Sequence, residues 1–283
     1  MEIQNILITG TGGFIGKNLK RCLETKYTIL APRSYELDLT KSKKVKEYFQ
    51  KNKVDFIIHC ASIGGARGVE DDPATLENNL SMLKNLIKNR AKNTKIIVFG
   101  SGAMYDKSRN LHKVKEYEIG ELEPKDLYGK SKMQFAKITE KTQDVLCLNI
   151  FACYGKDEKE TRFPSYAITQ NLKKEKITIE NNATFDYLFI EDLERIVEYF
   201  ISNWPSEKII NVTPTKSTTM LEIAEIINKL SAYNAKIDIL NLTPEREYTG
   251  DNSLLLKEIP NLSFTDLKEG LKKLFNHIRI NQN

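Results

Sequence analysis

The chain has 283 residues, a net charge of +5, 40% hydrophobic and 29% charged residues. That length holds one large α/β unit or a core domain with a smaller lobe, and the composition is that of an ordinary globular protein. The lysines are interleaved with acids in KSKKVKE, KVKEYE and NLKKEK, so they read as solvated helix faces and exclude a nucleic-acid surface.

In chain order, apolar runs at NILIT, YTIL, VDFIIHCA, TKIIVFGS and DVLCLNIF predict strands. Segments with helical spacing lie between them: Ile15–Leu23, Val45–Phe49, Leu76–Ile87 and Met133–Ile138. Strand–helix repetition of this kind predicts a doubly wound parallel sheet of the Rossmann type. After about residue 156 the rhythm loosens. FPSYAITQNLKKEK reads as a helix, ITIENNATFDYLFIEDL as short strands leading into a helix over Leu193–Ile201, and KIINVTP as a strand. TMLEIAEIINKL is an amphipathic helix, AKIDILNL a strand and Leu267–Ile278 a last helix. The expected division is a cofactor domain over 1–157, completed by about 184–213, with a smaller α/β substrate lobe from 158–183 and 214–283.

Cys22, Cys60, Cys147 and Cys153 form no CxxC pair, which predicts free thiols and no zinc. The start lacks the pattern of a signal peptide and no apolar run approaches a membrane span. A cytoplasmic protein with no membrane partner and no metal is expected.

The first strand runs into TGTGGFIG, residues 9–16. Gly10 permits the turn out of the strand, Gly12 and Gly13 clear space for a pyrophosphate, and Gly16 lets the helix pack close. Phe14 and Ile15 open that helix, with free amides and the positive dipole end facing the phosphates. An acid that would grip the adenosine ribose is missing after the second strand, where Arg33 and Ser34 stand instead. A guanidinium and a hydroxyl suit a 2′-phosphate, so NADP(H) is expected over NAD(H). Asp38 and Leu39 are placed at the adenine, with Asp38 accepting from its amino group.

Ser101 follows the fourth strand, where ligands of open parallel sheets bind. Tyr128 and Lys132 in LYGKSK lie one helical turn apart on one face. The glycine loop, Ser101, and Tyr128 with Lys132, in this order, resemble the extended short-chain dehydrogenase/reductase superfamily, in its nucleotide-sugar epimerase, dehydratase and reductase group. RSYELDLTKSKKVKEYFQKNKVDFIIHCASIGGARG, DPATLENNLSMLKNLI and SGAMYDK are similar to the GDP-L-fucose synthases, over residues 3–155.

The resemblance implies that Tyr128 protonates a ketone oxygen as hydride arrives from the nicotinamide. Lys132 would favour the phenolate and hold the nicotinamide ribose, and Ser101 would bond the carbonyl oxygen. It places Cys60, Ala61 and Ser62 beside the cofactor, Gly64, Gly65, Gly102 and Ala103 beside the sugar, and Asn79 as support for the strand ends. A homodimer through the helices at 75–91 and 128–142 is also implied, with Met82, Leu83, Leu86, Phe135 and Ile138 as its apolar stripe. The same stripe suits plain core.

The chain departs from the synthases where they epimerise. Their cysteine two residues past the serine is Ala103 here, and their histidine falls near Thr161. No histidine lies between His112 and His277, and His112 sits in an expected loop after strand four. Ketone reduction without epimerisation follows. Dehydratases need a Thr-Asp/Glu pair where Gly102-Ala103-Met104 stands. An arginine common before the family's later acidic pair is Phe185, which leaves Arg162 or Arg246 to hold a diphosphate. The reading is a 4-keto reductase of a nucleotide-linked, GDP-type sugar. Its alternatives are a bifunctional epimerase-reductase, a CDP- or dTDP-sugar reductase, and a non-catalytic NADP sensor.

Overall fold

The apolar runs read from the sequence line up as one sheet in the computed structural model, which describes residues 3–65, 68–241 and 246–282. In chain order the first elements are β1 (Asn5–Thr9), α1 (Phe14–Leu23), β2 (Thr28–Leu30), α2 (Ser42–Lys51), β3 (Phe56–His59) and α3 (Thr75–Asn89). There follow β4 (Lys95–Ser101), β5 (Leu111–Val114), α4 (Leu127–Lys141), β6 (Val145–Ile150), β7 (Ala152–Tyr154) and α5 (Phe163–Leu172). Then come β8 (Ile177–Asn181), β9 (Thr184–Phe185), β10 (Tyr187–Phe189), α6 (Ile190–Ser202), β11 (Ile209–Val212) and β12 (Thr218–Thr219). The chain ends with α7 (Met220–Leu230), β13 (Ile237–Asn241), β14 (Glu247–Gly250), α8 (Ser253–Glu258) and α9 (Leu267–Gln282).

The chain separates into two compact units. The first comprises Met1–Ser108, Lys115–Ile150 and Val197–Asn211. Its sheet has the order β2-β1-β3-β4-β6-β11, and the pairs from β2 to β6 are parallel. Strand order reverses between β1 and β3, which is where such sheets open a crevice for ligands. Helices cover both faces, so the strand interiors are apolar without alternation: Phe56, Ile57 and Ile58 are wholly shielded. Met82, Leu83, Leu86 and Phe135 are buried within the single chain. The stripe expected at a dimer interface is therefore core, apart from the half-buried Ile138. Outside it lies a groove lined by Lys84, Lys88, Lys137 and Lys141.

The second unit comprises Arg109–Val114, Phe151–Ile196 and Val212–Asn283. It holds a sheet of order β12-β9-β14-β5, the pairs β7–β10 and β8–β13, and the helices α5, α7 and α9. The wholly buried Asp186 ties it together. It accepts from Ser217 Oγ at 2.6 Å, Lys113 Nζ at 3.1 Å and Gly250 N at 2.8 Å. Every lone pair such a buried carboxylate leaves unmet is costly, and these three donors offset that cost. Residues 111–114, expected as loop, form β5 because Leu111 and Val114 both turn inward. The sequence also gave no sign of β7, β14 or α8. Leu242, the last residue of the expected strand AKIDILNL, lies outside the described residues. No helix among the described residues is long and apolar enough to cross a membrane.

Candidate active site

The crevice is built first by backbone. Gly10 sits at φ +71°, a conformation that side chains resist, and Gly13 N donates to its carbonyl at 3.0 Å. A Cβ placed on Gly10 would lie 2.6 Å from Ala61 N, so the loops after β1 and β3 touch there. No side chain caps the N-terminus of α1, and its first turn holds no acid. Gly12 and Gly13 are exposed, while Phe14 and Ile15 are half-buried. A Cβ on Gly12 would lie 2.9 Å from Arg33 Nη1, which puts the exposed guanidinium over the loop. Uncapped amides, a glycine-rich turn and an adjacent guanidinium fit the phosphates of a dinucleotide.

The C-terminal ends of β3, β4 and α4's first turn supply the chemistry. Ser101 closes β4, and its Oγ accepts from Ala103 N at 3.1 Å, which leaves the hydroxyl hydrogen to point elsewhere. Asp126 caps α4 through Gly129 N at 2.7 Å, so Tyr128 stands in the first turn. A Cβ on Gly129 would lie 2.5 Å from Ala103 O, so the helix start abuts the turn that follows Ser101. Lys132 is buried, at 3% exposure, and donates to Phe99 O at 2.8 Å. Its ammonium lies 5.2 Å from the Tyr128 ring centre. The three groups thus gather at one strand end.

The loop after β3 closes over them. Asn79, wholly buried, accepts from Ile63 N at 2.9 Å and donates to Ile63 O at 2.9 Å and to Ser131 Oγ at 3.2 Å. Ser131 in turn donates to Tyr128 O at 2.7 Å. Asp71 accepts from Gly65 N at 2.9 Å and from Tyr128 N at 2.7 Å. Ser62, Gly64 and Gly65 are exposed, whereas Gly102 and Ala103 are buried.

A polar floor underlies the site. Ala61 N donates to Thr9 Oγ1 at 3.2 Å, and the same hydroxyl shares a hydrogen bond with His59 Nδ1 at 2.8 Å. His59 Nε2 is buried and has no partner. Burial, with Lys132 nearby, pushes His59 down to about 3, so the ring stays neutral. Burial raises Cys60, and raises Cys147 to about 12, so neither is a thiolate. Sequence reasoning passed over Asp71, Thr9 and His59. The polar ends of two apolar strands were the available signal for the last two.

The remaining sequence candidates have the following surroundings within their own units. Asp38 Oδ1 is taken by Thr40, from N at 3.0 Å and Oγ1 at 2.6 Å, and Leu39 belongs to the core. Ser34 is exposed beside Arg33. His112 pairs with Glu247 at 2.7 Å on the surface of the second unit. Arg162 and Arg246 are exposed in that unit too, and Arg162 stands at the N-cap of α5.

A parallel sheet with a glycine turn at its switch point defines a dinucleotide-binding protein of the Rossmann type. The chain belongs to the NAD dependent epimerase/dehydratase family, whose model matches residues 6–213. It is 30% identical to the GDP-L-colitose synthase of Yersinia pseudotuberculosis over 295 residues, 95% of this chain and 96% of that one. The same fold is found in a GDP-D-glycero-L-gluco-heptose synthase of Campylobacter jejuni, crystallised in the presence of NADPH, with a TM-score of 0.85, 19% identity and coverage of 99% of both chains. It recurs in a GDP-mannoheptose C4 reductase of the same organism with NADP bound, with a TM-score of 0.82, 20% identity and 99% of both chains covered.

Proposed function

We propose that this protein is an NADPH-dependent reductase of the 4-keto group of a GDP-linked keto-deoxy sugar, acting without epimerisation in surface polysaccharide sugar synthesis. The observation that carries the reading is the buried Lys132 ammonium 5.2 Å from the Tyr128 ring, with Ser101 at the adjoining strand end. When bound, the reduced nicotinamide supplies the hydride. Tyr128 gives its hydroxyl proton to the carbonyl oxygen as the carbonyl carbon takes up that hydride, and a proton from water restores the phenol. The Lys132 charge stabilises the phenolate left behind, and the Ser101 hydroxyl donates to the carbonyl oxygen as it gains charge.

The GDP and the 4-keto position rest on the names of the relatives, among them a GDP-L-colitose synthase and a GDP-mannoheptose C4 reductase. Arg33 over the glycine loop supports NADP(H). Ala103, a methyl group where an epimerase needs a thiol, supports reduction alone. A cytoplasmic homodimer completes the reading, and all four cysteines are free thiols as a reducing compartment keeps them.

The test is NADPH oxidation driven by GDP-4-keto-6-deoxymannose as the probe substrate. Tyr128→Phe is expected to lower kcat by about 100-fold or more, the range of general-acid catalysis, with NADPH binding retained. A Tyr128→Phe enzyme as fast as its parent would refute the mechanism.

A further inference from the structure

Asp71 precedes α3 and lies 57 positions from Tyr128 in sequence, yet it bridges two backbone amides of the site. One oxygen accepts from Gly65 N at 2.9 Å, and the other from Tyr128 N at 2.7 Å. Such charge-assisted bonds are about twice as strong as neutral ones. The second also sets a negative charge at the positive end of α4.

The glycines around it leave no slack. Gly65 is at φ +73°, and a Cβ there would lie 2.9 Å from each of three Tyr128 ring carbons, so the ring rests on the Gly65 backbone. A Cβ on Gly64 would lie 2.5 Å from Asp71 Oδ1, so the carboxylate fills the space beside that residue. Asn79 holds the same loop at Ile63 and reaches α4 through Ser131. The loop and the helix start are thus joined twice: Asn79 reaches Tyr128 O through Ser131, and Asp71 holds Tyr128 N directly.

We propose that Asp71 is a positioning residue of the reduction: by holding Gly65 N and Tyr128 N at once, it seats the phenol ring against the loop and fixes its line of approach to the carbonyl oxygen. This rests on Tyr128 as the proton donor. Removing the carboxylate leaves α4 folded, because Asp126 still caps it through Gly129 N. What is lost is the setting of one ring, and a misplacement of about 1 Å can cost about 100-fold in rate.

The test compares Asp71→Ala, Asp71→Asn, Gly65→Ala and Tyr128→Phe with the parent, reading NADPH affinity by fluorescence and kcat per NADPH-binding site with the GDP-keto sugar above. Asp71→Ala should lower kcat by roughly tenfold to 100-fold while the NADPH Kd stays within about threefold. Asp71→Asn, with one acceptor oxygen, should fall between it and the parent. Gly65→Ala should repeat the kcat loss by pushing on the ring. A purely structural role would instead lower the number of NADPH sites and leave kcat per site intact. That result overturns the proposal, as does Asp71→Ala at parental kcat beside an inactive Tyr128→Phe. If Tyr128→Phe itself keeps its rate, the proton-donor reading falls first and takes this one with it.

Discussion

At the scale of single residues, Lys132 is the most demanding group in the first unit. A buried ammonium is expensive unless it is paired, and among the described residues no carboxylate pairs with it. Its partners are a carbonyl, Phe99 O, and the faces of Phe135 at 4.7 Å and Tyr128 at 5.2 Å. Such a charge is expected where a negative one is to form, and in the proposed mechanism the Tyr128 phenolate is that charge. His59 beneath it is held neutral, so it does not compete as a proton source. Arg33 is the residue whose role is most easily separated from the rest. If it grips a 2′-phosphate, Arg33→Ala should weaken NADPH binding by about 10- to 100-fold, the worth of one charge-assisted contact, and leave NADH nearly unchanged. Titrating both coenzymes by fluorescence decides it, and an equal loss for both would assign Arg33 to the loop's structure instead.

At the scale of elements, the parts that sequence makes legible are those with local geometry. The strands β1, β3, β4 and β6 are continuous apolar runs, and the glycine turn and the Tyr128–Lys132 spacing lie within one turn or one helix. Strands such as β7 and β9 are too short to show a period, and β5 is recognised only once β14 lies beside it. Asp71 was illegible for the same reason: its donors lie in a distant helix and in an adjoining loop, and GVEDDPAT has no periodicity. At α5, Glu158 Oε1 accepts from Ser165 N at 3.1 Å and Ser165 Oγ at 2.7 Å, while Oε2 is buried without a partner. Burial pushes this carboxyl up to about 7, against the bonds from Ser165 and the nearby Arg162. Its folded value exceeds the ordinary one near 4.5, so its contribution to stability is full below that pH and is lost as pH rises through about 7. Thermal melts at stepped pH should therefore show Glu158→Gln gaining on the parent between those values. A constant gap across the window would contradict the assignment.

At the scale of the whole molecule, the family membership and the parallel sheet were both readable in the first half of the sequence, which carries the resemblance. In the second unit the helices α5, α7 and α9 and the strand β13 were readable, but the strand pairing was not, since its sheets are made from pieces two to five residues long that pair across large separations. The apolar stripe on α3 and α4 carries no signal for assembly, because one chain already buries it.

The central claim, hydride to the keto carbon with the neighbouring carbons untouched, has a direct test. GDP-4-keto-6-deoxymannose is reduced in ordinary water with NADPH deuterated at its transferable position, and the product sugar is read by NMR. Deuterium at C4, with the configurations at C3 and C5 unchanged, is the predicted result. Product inverted at C3 or C5, or a sugar recovered without deuterium at C4, would contradict it.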